Sequence, residues 1–190
     1  MGFTSTTLDG FVITGGRNDS NSGGGARAFG NPLVQNNIFY LNRASSGGGL
    51  YISGGAQPSL LALRFVQNEA LTFCGGLYSD GTTIMSNSRF INNVATESGG
   101  GFVSAMPAAS LTNVTFTGNQ AIGGKGGGLY FCCTSTVLQV SNVVVENNES
   151  GGDGGGMNVC CGGSMSGSNL TLTGNQSAAN GGGLALCCTG

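Results

Sequence analysis

Seven cysteines and eight carboxylates, with no histidine, are the side chains from which this 190-residue chain could build reactive chemistry. Six of the cysteines form adjacent pairs, Cys132-Cys133, Cys160-Cys161 and Cys187-Cys188, and Cys74 stands apart. Each pair follows an apolar triplet, and the pairs recur at the spacing of a sequence repeat described below. Strand alternation turns Cys133, Cys161 and Cys188 inward and Cys132, Cys160 and Cys187 outward. Three chemistries are open to them. Buried thiols can act as small hydrophobes. Thiols stacked in successive repeats can form disulfides, because their Cα atoms would fall within the bridging range of ~4.4–6.8 Å. Outward thiolates can bind a metal, but adjacent Cys-Cys lacks the C-x₂₋₄-C spacing of structural zinc sites, so no metal site is expected. Three cysteines per row leave one unpaired in each, which suits a chain whose next repeat carries more. Clustering of this kind favours an oxidising compartment.

The acids are Asp9, Asp19, Glu69, Asp80, Glu97, Glu146, Glu149 and Asp153. Glycoside hydrolysis needs two carboxylates held ~5–10 Å apart, and the repeat phase separates these. Glu69 falls beside a recurring Asn, Glu97 in a glycine turn and Glu146 on an outer strand face. Glu146, Glu149 and Asp153 form the one local cluster. A weak calcium site is its functional reading, and solvated turn acids are the favoured one. The run Gly151–Gly156 does not match the calcium nonapeptide, in which an acid recurs in every coil. Without histidine the commonest general base is missing. The expectation is no catalytic residue, no cofactor and no enzyme. Charged residues are 7% of the chain against a usual ~25%. Arg17, Arg27, Arg43, Arg64, Arg89 and Lys125 stand alone along the sequence. Nucleic acid is therefore not an expected partner, since phosphate neutralisation needs clustered cations. No apolar run is long enough to cross a membrane.

The elements that would position these groups follow from two interleaved motifs. A glycine run recurs with its third glycine at Gly25, Gly49, Gly76, Gly101, Gly128, Gly156 and Gly183, in nearly even steps. Before each later run stands F-x-x-N-x-A or a weaker form of it. The full form is Phe39/Asn42/Ala44, Phe65/Asn68/Ala70, Phe90/Asn93/Ala95 and Phe116/Asn119/Ala121, followed by Val145/Asn148/Ser150 and Leu172/Asn175/Ser177. A period of this size means a repeat architecture. Each repeat holds two short alternating stretches, such as Leu50-Tyr51-Ile52 and Leu63-Arg64-Phe65, whose outer residues share a face. Stacked at ~4.8 Å per repeat they would enclose an apolar column. The expected fold is all-β: a right-handed parallel β-helix of about seven coils with a period of about 26 residues. Residues 1–190 would be one β-helix segment of a longer repeat protein. Handedness rests on the general rule for parallel connections. Asn42, Asn68, Asn93, Asn119, Asn148 and Asn175 fall at one turn, where stacked amides form a structural ladder. A leucine-rich repeat, a propeller and an amphipathic helix each need a spacing that is absent here.

Thr115/Thr117 and Thr171/Thr173 should point outward, but Val144/Glu146, Arg64/Val66 and Arg89/Ile91 interrupt the array, which argues against an ice-binding face. Tyr40, Val66 and Ile91 form an outward apolar strip. It is either a contact surface or ordinary scattered exposure. Glycosylation triplets occur at Asn18, Asn113, Asn148, Asn169 and Asn175, two of which are ladder positions that leave a glycan no room inside.

The motif pair, F-x-x-N-x-A followed by a glycine run and Leu, Met or Phe, resembles the FxxN and GGA-I repeats of chlamydial polymorphic outer-membrane proteins. Here Gly replaces Ala, as in Gly47-Gly48-Gly49-Leu50, and the Cys-Cys pairs are added. The opening Leu8–Gly16 looks like the first coil of such a helix. The resemblance implies a secreted or cell-surface region, often adhesive. The resulting expectation is a non-catalytic stalk or adhesive module, extracellular or at the cell surface. Its partners would be further coils, neighbouring copies, or host or matrix glycans and proteins. The alternatives are a segment of a carbohydrate-active β-helix with its catalytic groups elsewhere, and an end-to-end fibre unit.

Overall fold

Backbone that turns back over itself once in every repeat must make its bends without breaking strand pairing, and left-handed residues do this here. Three such corners recur in each coil. In one coil they are Asn36, Leu41 and Gly47, with φ of 55°, 53° and 62°, and in the next Ala62, Gln67 and Cys74, with φ of 53°, 52° and 64°. A computed structural model describes residues 6–53, 55, 57–105, 108–132, 137–160 and 164–187. Among these residues every strand pairing is parallel, between residues one coil apart.

The second corner separates the first face from the second and the third separates the second from the third, whereas the first corner bends the first face between its two segments. The first face carries two short segments per coil, such as Leu33–Gln35 and Ile38–Tyr40. In later coils these merge into the ten-residue strands Ala108–Thr117, Val137–Glu146 and Ser164–Thr173. The second face has strands as short as Glu69–Ala70 and Val94–Ala95. The third holds Ala26–Phe29, Leu50–Ser53, Leu77–Ser79, Phe102–Ser104, Leu129–Cys132, Met157–Cys160 and Leu184–Leu186. The sheets contain eleven, seven and seven strands. Seven stacked strands are separated by six coil steps, so the solenoid makes about six turns where the glycine runs suggest seven coils. At ~4.8 Å per step it is about 29 Å long.

Inward side chains stack on their own equivalents. Phe39, Phe65, Phe90 and Phe116 lie ring over ring, with centroids 5.0, 4.7 and 4.8 Å apart. All four are fully buried, and Val145 continues the column. Ala44, Ala70, Ala95 and Ala121 line the narrow second face, all buried. There the glycine run crosses so closely that a larger inward side chain has no space. A Cβ on Gly49 would sit 2.7 Å from the Gly76 carbonyl oxygen and 2.9 Å from Phe65 Cδ1.

The motif asparagines from Asn42 to Asn148 are buried beside the phenylalanine column, and Asn175 is half-buried. Asn68 Nδ2 donates to Asn93 Oδ1 at 2.9 Å and to the Phe39 carbonyl at 2.9 Å, and the Asn68 backbone N–H reaches the same Asn93 Oδ1 at 3.0 Å. Asn93, Asn119 and Asn148 repeat this set, each onto the next asparagine and onto the carbonyl of a phenylalanine one coil back. Asn42 joins the ladder through Asn68, and its own Oδ1 accepts from the Gly16 N–H at 2.9 Å. Every amide atom is used, so the row carries no unmet polar group into the core.

Two substitutions test this packing. Asn93→Ala removes the acceptor of the Asn68 backbone N–H and of one Asn68 Nδ2 hydrogen, and the side-chain donor to the Phe65 carbonyl, and should destabilise by about 3 kcal/mol. Gly49→Ala should cost about as much through backbone collision, whereas Gly123→Ala, whose Cβ would meet only the Thr96 carbonyl at 3.4 Å, should stay within about 0.5 kcal/mol of wild type. Denaturant midpoints of the three variants measure these differences.

Candidate functional site

The outer side of the first face is the broadest regular surface, because its strands are the longest. Register places its outward residues in columns. Ile38, Arg64, Arg89, Thr115, Val144 and Thr171 follow one another coil by coil, and beside them run Tyr40, Val66, Ile91, Thr117, Glu146 and Thr173. The strip Tyr40, Val66 and Ile91 is therefore contiguous. Tyr40 is 37% exposed, and Val66 and Ile91 are half-buried. Thr115/Thr117 and Thr171/Thr173 are separated by Val144 and Glu146, and Thr117 Oγ1 donates to Glu146 Oε1 at 3.0 Å. In the three later coils two further columns of this face are hydroxyl and amide. Ser110, Gln139 and Ser166 form one column, and Thr112, Ser141 and Ser168 another.

An exposed amide row at the first corner escaped the motif reading. Asn169 Nδ2 donates to Asn142 Oδ1 at 2.8 Å, Asn142 to Asn113 at 3.1 Å and Asn113 to Asn87 at 3.0 Å. Its sequence signal is an asparagine at a constant offset before each buried ladder asparagine, at positions 36, 87, 113, 142 and 169. Position 62 is the exception and holds Ala. Two of the glycosylation triplets, Asn113 and Asn169, lie on this exposed row, whereas Asn148 is buried.

The arginines do not stand alone in space. Arg64 lies in register with Arg89, and Arg17 with Arg43. Asp19 sits between Arg17 and Arg43, and Arg43 reaches on to Glu69 at 2.8 Å. Coil stacking makes neighbours of residues a full repeat apart, which is why separation along the chain misjudged them. Glu146, Glu149 and Asp153 are likewise not brought together. Glu149 accepts from Gln120, and Asp153 is held by Lys125 and Asn180. Among the described residues no group of three His, Cys, Asp or Glu could hold a metal ion.

Cys160 is joined to Cys187, one coil on, with Cα atoms 4.4 Å apart. Cys132 is the register partner of Cys160 on the opposite side. Cys160 lies on the outer side of its strand but is only 6% exposed, so this rung of the outward row does not face solvent. Asn158, also outward, is fully buried. Its Oδ1 is 2.7 Å from Cys160 Sγ and its Nδ2 donates to Cys187 Sγ at 3.7 Å. Cys133, Cys161 and Cys188 lie outside the described residues. Cys74 is a buried free thiol at a corner where other coils have glycine. Burial pushes its pKa well above the ordinary thiol range, so it is an unreactive packing group.

A family model for right-handed β-helix regions matches residues 4–177. The chain belongs to that family. The match supplies the hand of the solenoid and spans all but the last of its coils. No curated protein and no solved structure matches this right-handed β-helix.

Reduction should remove the inter-coil tie. Its sequence separation of 27 corresponds to about 3 kcal/mol of stabilisation through the unfolded state. Non-reducing peptide maps should recover Cys160 linked to Cys187, and the double variant Cys160→Ser/Cys187→Ser should lower the unfolding midpoint as reduction does.

Stability should also fall in acid. Asn180, then Lys125, hold the Asp153 carboxyl below its ordinary value of 3.8, and Asn36 and Gln35 do the same for Asp9. The native carboxylates bind protons less readily than the unfolded chain does. Their contribution is therefore complete at neutral pH and is lost as pH falls through and below the ordinary carboxylate range. Asn180→Ala with Lys125→Met should flatten the dependence of unfolding midpoint on pH in that window.

Proposed function

We propose that this β-helix is a non-catalytic module of a secreted or cell-surface protein, a stiff spacer whose first face makes adhesive contacts. The observation that carries this proposal is the covalent tie between successive coils, Cys160–Cys187, since structural disulfides persist in oxidising compartments. The internal amide ladder supports the stiffness, because bending the rod would stretch hydrogen bonds in every coil. The lateral face supports the contact role. It presents aromatic and aliphatic side chains beside hydroxyls and amides, a mixture suited to protein or glycan surfaces. The resemblance of the F-x-x-N and glycine motifs to chlamydial surface repeats supports the same location. Neighbouring coils, host or matrix proteins and glycans are the partners this role implies.

The test uses the protein expressed in intact cells. Surface biotinylation should label it, and binding to a glycan array or matrix proteins should fall severalfold in Tyr40→Ser/Ile91→Ser with no loss of folded structure. Release of reducing sugar from any bound glycan, or exclusive recovery from the cytosol, would overturn the proposal.

A further inference from the structure

The exposed amide row has a direction and an end. Each asparagine donates its Nδ2 to the Oδ1 of the preceding coil, from Asn169 through Asn142 and Asn113 to Asn87. Asn87 accepts from Asn113, but its own Nδ2 has no acceptor among the described residues. The coil it faces holds Ala62, and the residue beside Ala62 is Leu61, the register partner of Ser86. Four aligned amide dipoles thus terminate in a free donor at an exposed corner.

The same place collects positive charge. Arg64 and Arg89 flank the gap just beyond Ala62 and Asn87. They are Cα partners in adjacent strands, about 4.8 Å apart, and both are exposed. Neither guanidinium makes an ion pair or side-chain hydrogen bond among the described residues. The columns around them offer Ile38 and Thr115 on their own row, Tyr40, Val66, Ile91 and Thr117 on one side, and Asn36, Ala62, Asn87 and Asn113 on the other. No carboxylate is included. Like charges directly opposite on a sheet repel, and here nothing among the described residues compensates.

One coil pair earlier, the same corner shows what such a donor takes. Asn36 Nδ2 donates to Asp9 Oδ1 at 2.8 Å, and Gln35 Nε2 to Asp9 Oδ2 at 2.8 Å. Asp9 is the register partner of Gln35, as Leu61 is of Ser86. The chain therefore supplies an oxyanion to the corner amide at Asn36 and withholds one at Asn87, where it places two arginines instead. Ala62 adds a further sign. It has φ of 53°, a conformation in which alanine is strained and asparagine is tolerated. Asparagine there would both relieve the strain and close the row.

We propose that Asn87, Arg64 and Arg89 form a binding site for a doubly charged tetrahedral oxyanion, the free sulfate ion or a phosphate group, seated over Ala62. The amide donates one hydrogen bond and the two guanidiniums supply charge-assisted ones, with two positive charges matching the dianion. The site does not depend on the compartment or role of the chain.

The experiment is a titration of the full chain with sodium sulfate at constant ionic strength, followed by the NMR signals of the Asn87 side-chain amide and the arginine Nε–H groups. Those of Asn87, Arg64 and Arg89 should shift saturably, and those of Arg17 and Arg27 should not. Acetate should bind more weakly. Arg64→Ala and Arg89→Ala should each weaken binding about tenfold. Two further variants separate binding from folding. Ala62→Asn completes the amide row, and Leu61→Asp supplies a carboxylate in the place Asp9 has at the earlier corner. Both should keep or raise the unfolding midpoint and abolish the sulfate response. A sugar phosphate, whose monoester is largely a dianion at pH 7, that shifts the same signals identifies the group as one borne on a glycan, and a response to inorganic sulfate alone identifies the free ion. Shifts that never saturate, or wild-type sulfate binding by Ala62→Asn, would overturn the site.

Discussion

Register between successive coils is the constraint on which the rest of this molecule depends. A parallel strand slipped by one residue would turn every inward side chain outward, and two- and three-residue strands have too few backbone bonds to prevent it alone. The buried asparagines supply what the strands lack. Each can complete its hydrogen bonds only when the next asparagine lies directly beneath it and the phenylalanine carbonyl directly above. A slip would leave several buried polar groups unmet at once, which costs far more than the strand bonds it spares. The phenylalanine column and the close glycine crossing depend on the same alignment.

The unusual composition follows from this arrangement. Backbone passes so close to backbone at the glycine runs that side chains are excluded, and after Asn18 in the first coil the inward column of the second face is alanine and serine. Charge is scarce because a stacked architecture sets equivalent residues about 4.8 Å apart, so a charge retained at one phase meets its own kind. The chain handles its few charges accordingly. Arg17 and Arg43 share Asp19, Arg43 also reaches Glu69, and Asp153 lies between Lys125 and Asn180. Arg64 over Arg89 is the departure from this pattern, on the same face as the apolar strip and next to the open end of the exposed amide row.

The fold was legible because its determinants recur at one phase: Phe65, Phe90 and Phe116, Asn68, Asn93 and Asn119, and Gly76, Gly101 and Gly128 mark the same three places in successive coils. The surface was less so, since its chemistry depends on neighbours a whole coil away along the chain. Arginines that look solitary in the chain are adjacent in space. The exposed asparagines were hidden because Asn36, Asn87, Asn113, Asn142 and Asn169 lie outside the conspicuous motif, although their offset from the ladder is constant. Cysteine spacing left pairing open, because any two successive rungs meet the geometric condition. The burial of Cys160 and Asn158 on the outer side of their strand was invisible to simple alternation, which records direction and not cover.

The most direct test of coil-over-coil register is the pattern of nuclear Overhauser contacts among the ring protons of the phenylalanine column. Rings of Phe65 and Phe90 lie 4.7 Å apart and those of Phe90 and Phe116 4.8 Å apart, so strong contacts should join each of these pairs and none should join Phe65 directly to Phe116, two coils away. Absence of the two adjacent-coil contacts, or a direct contact between Phe65 and Phe116, would contradict the stacked register.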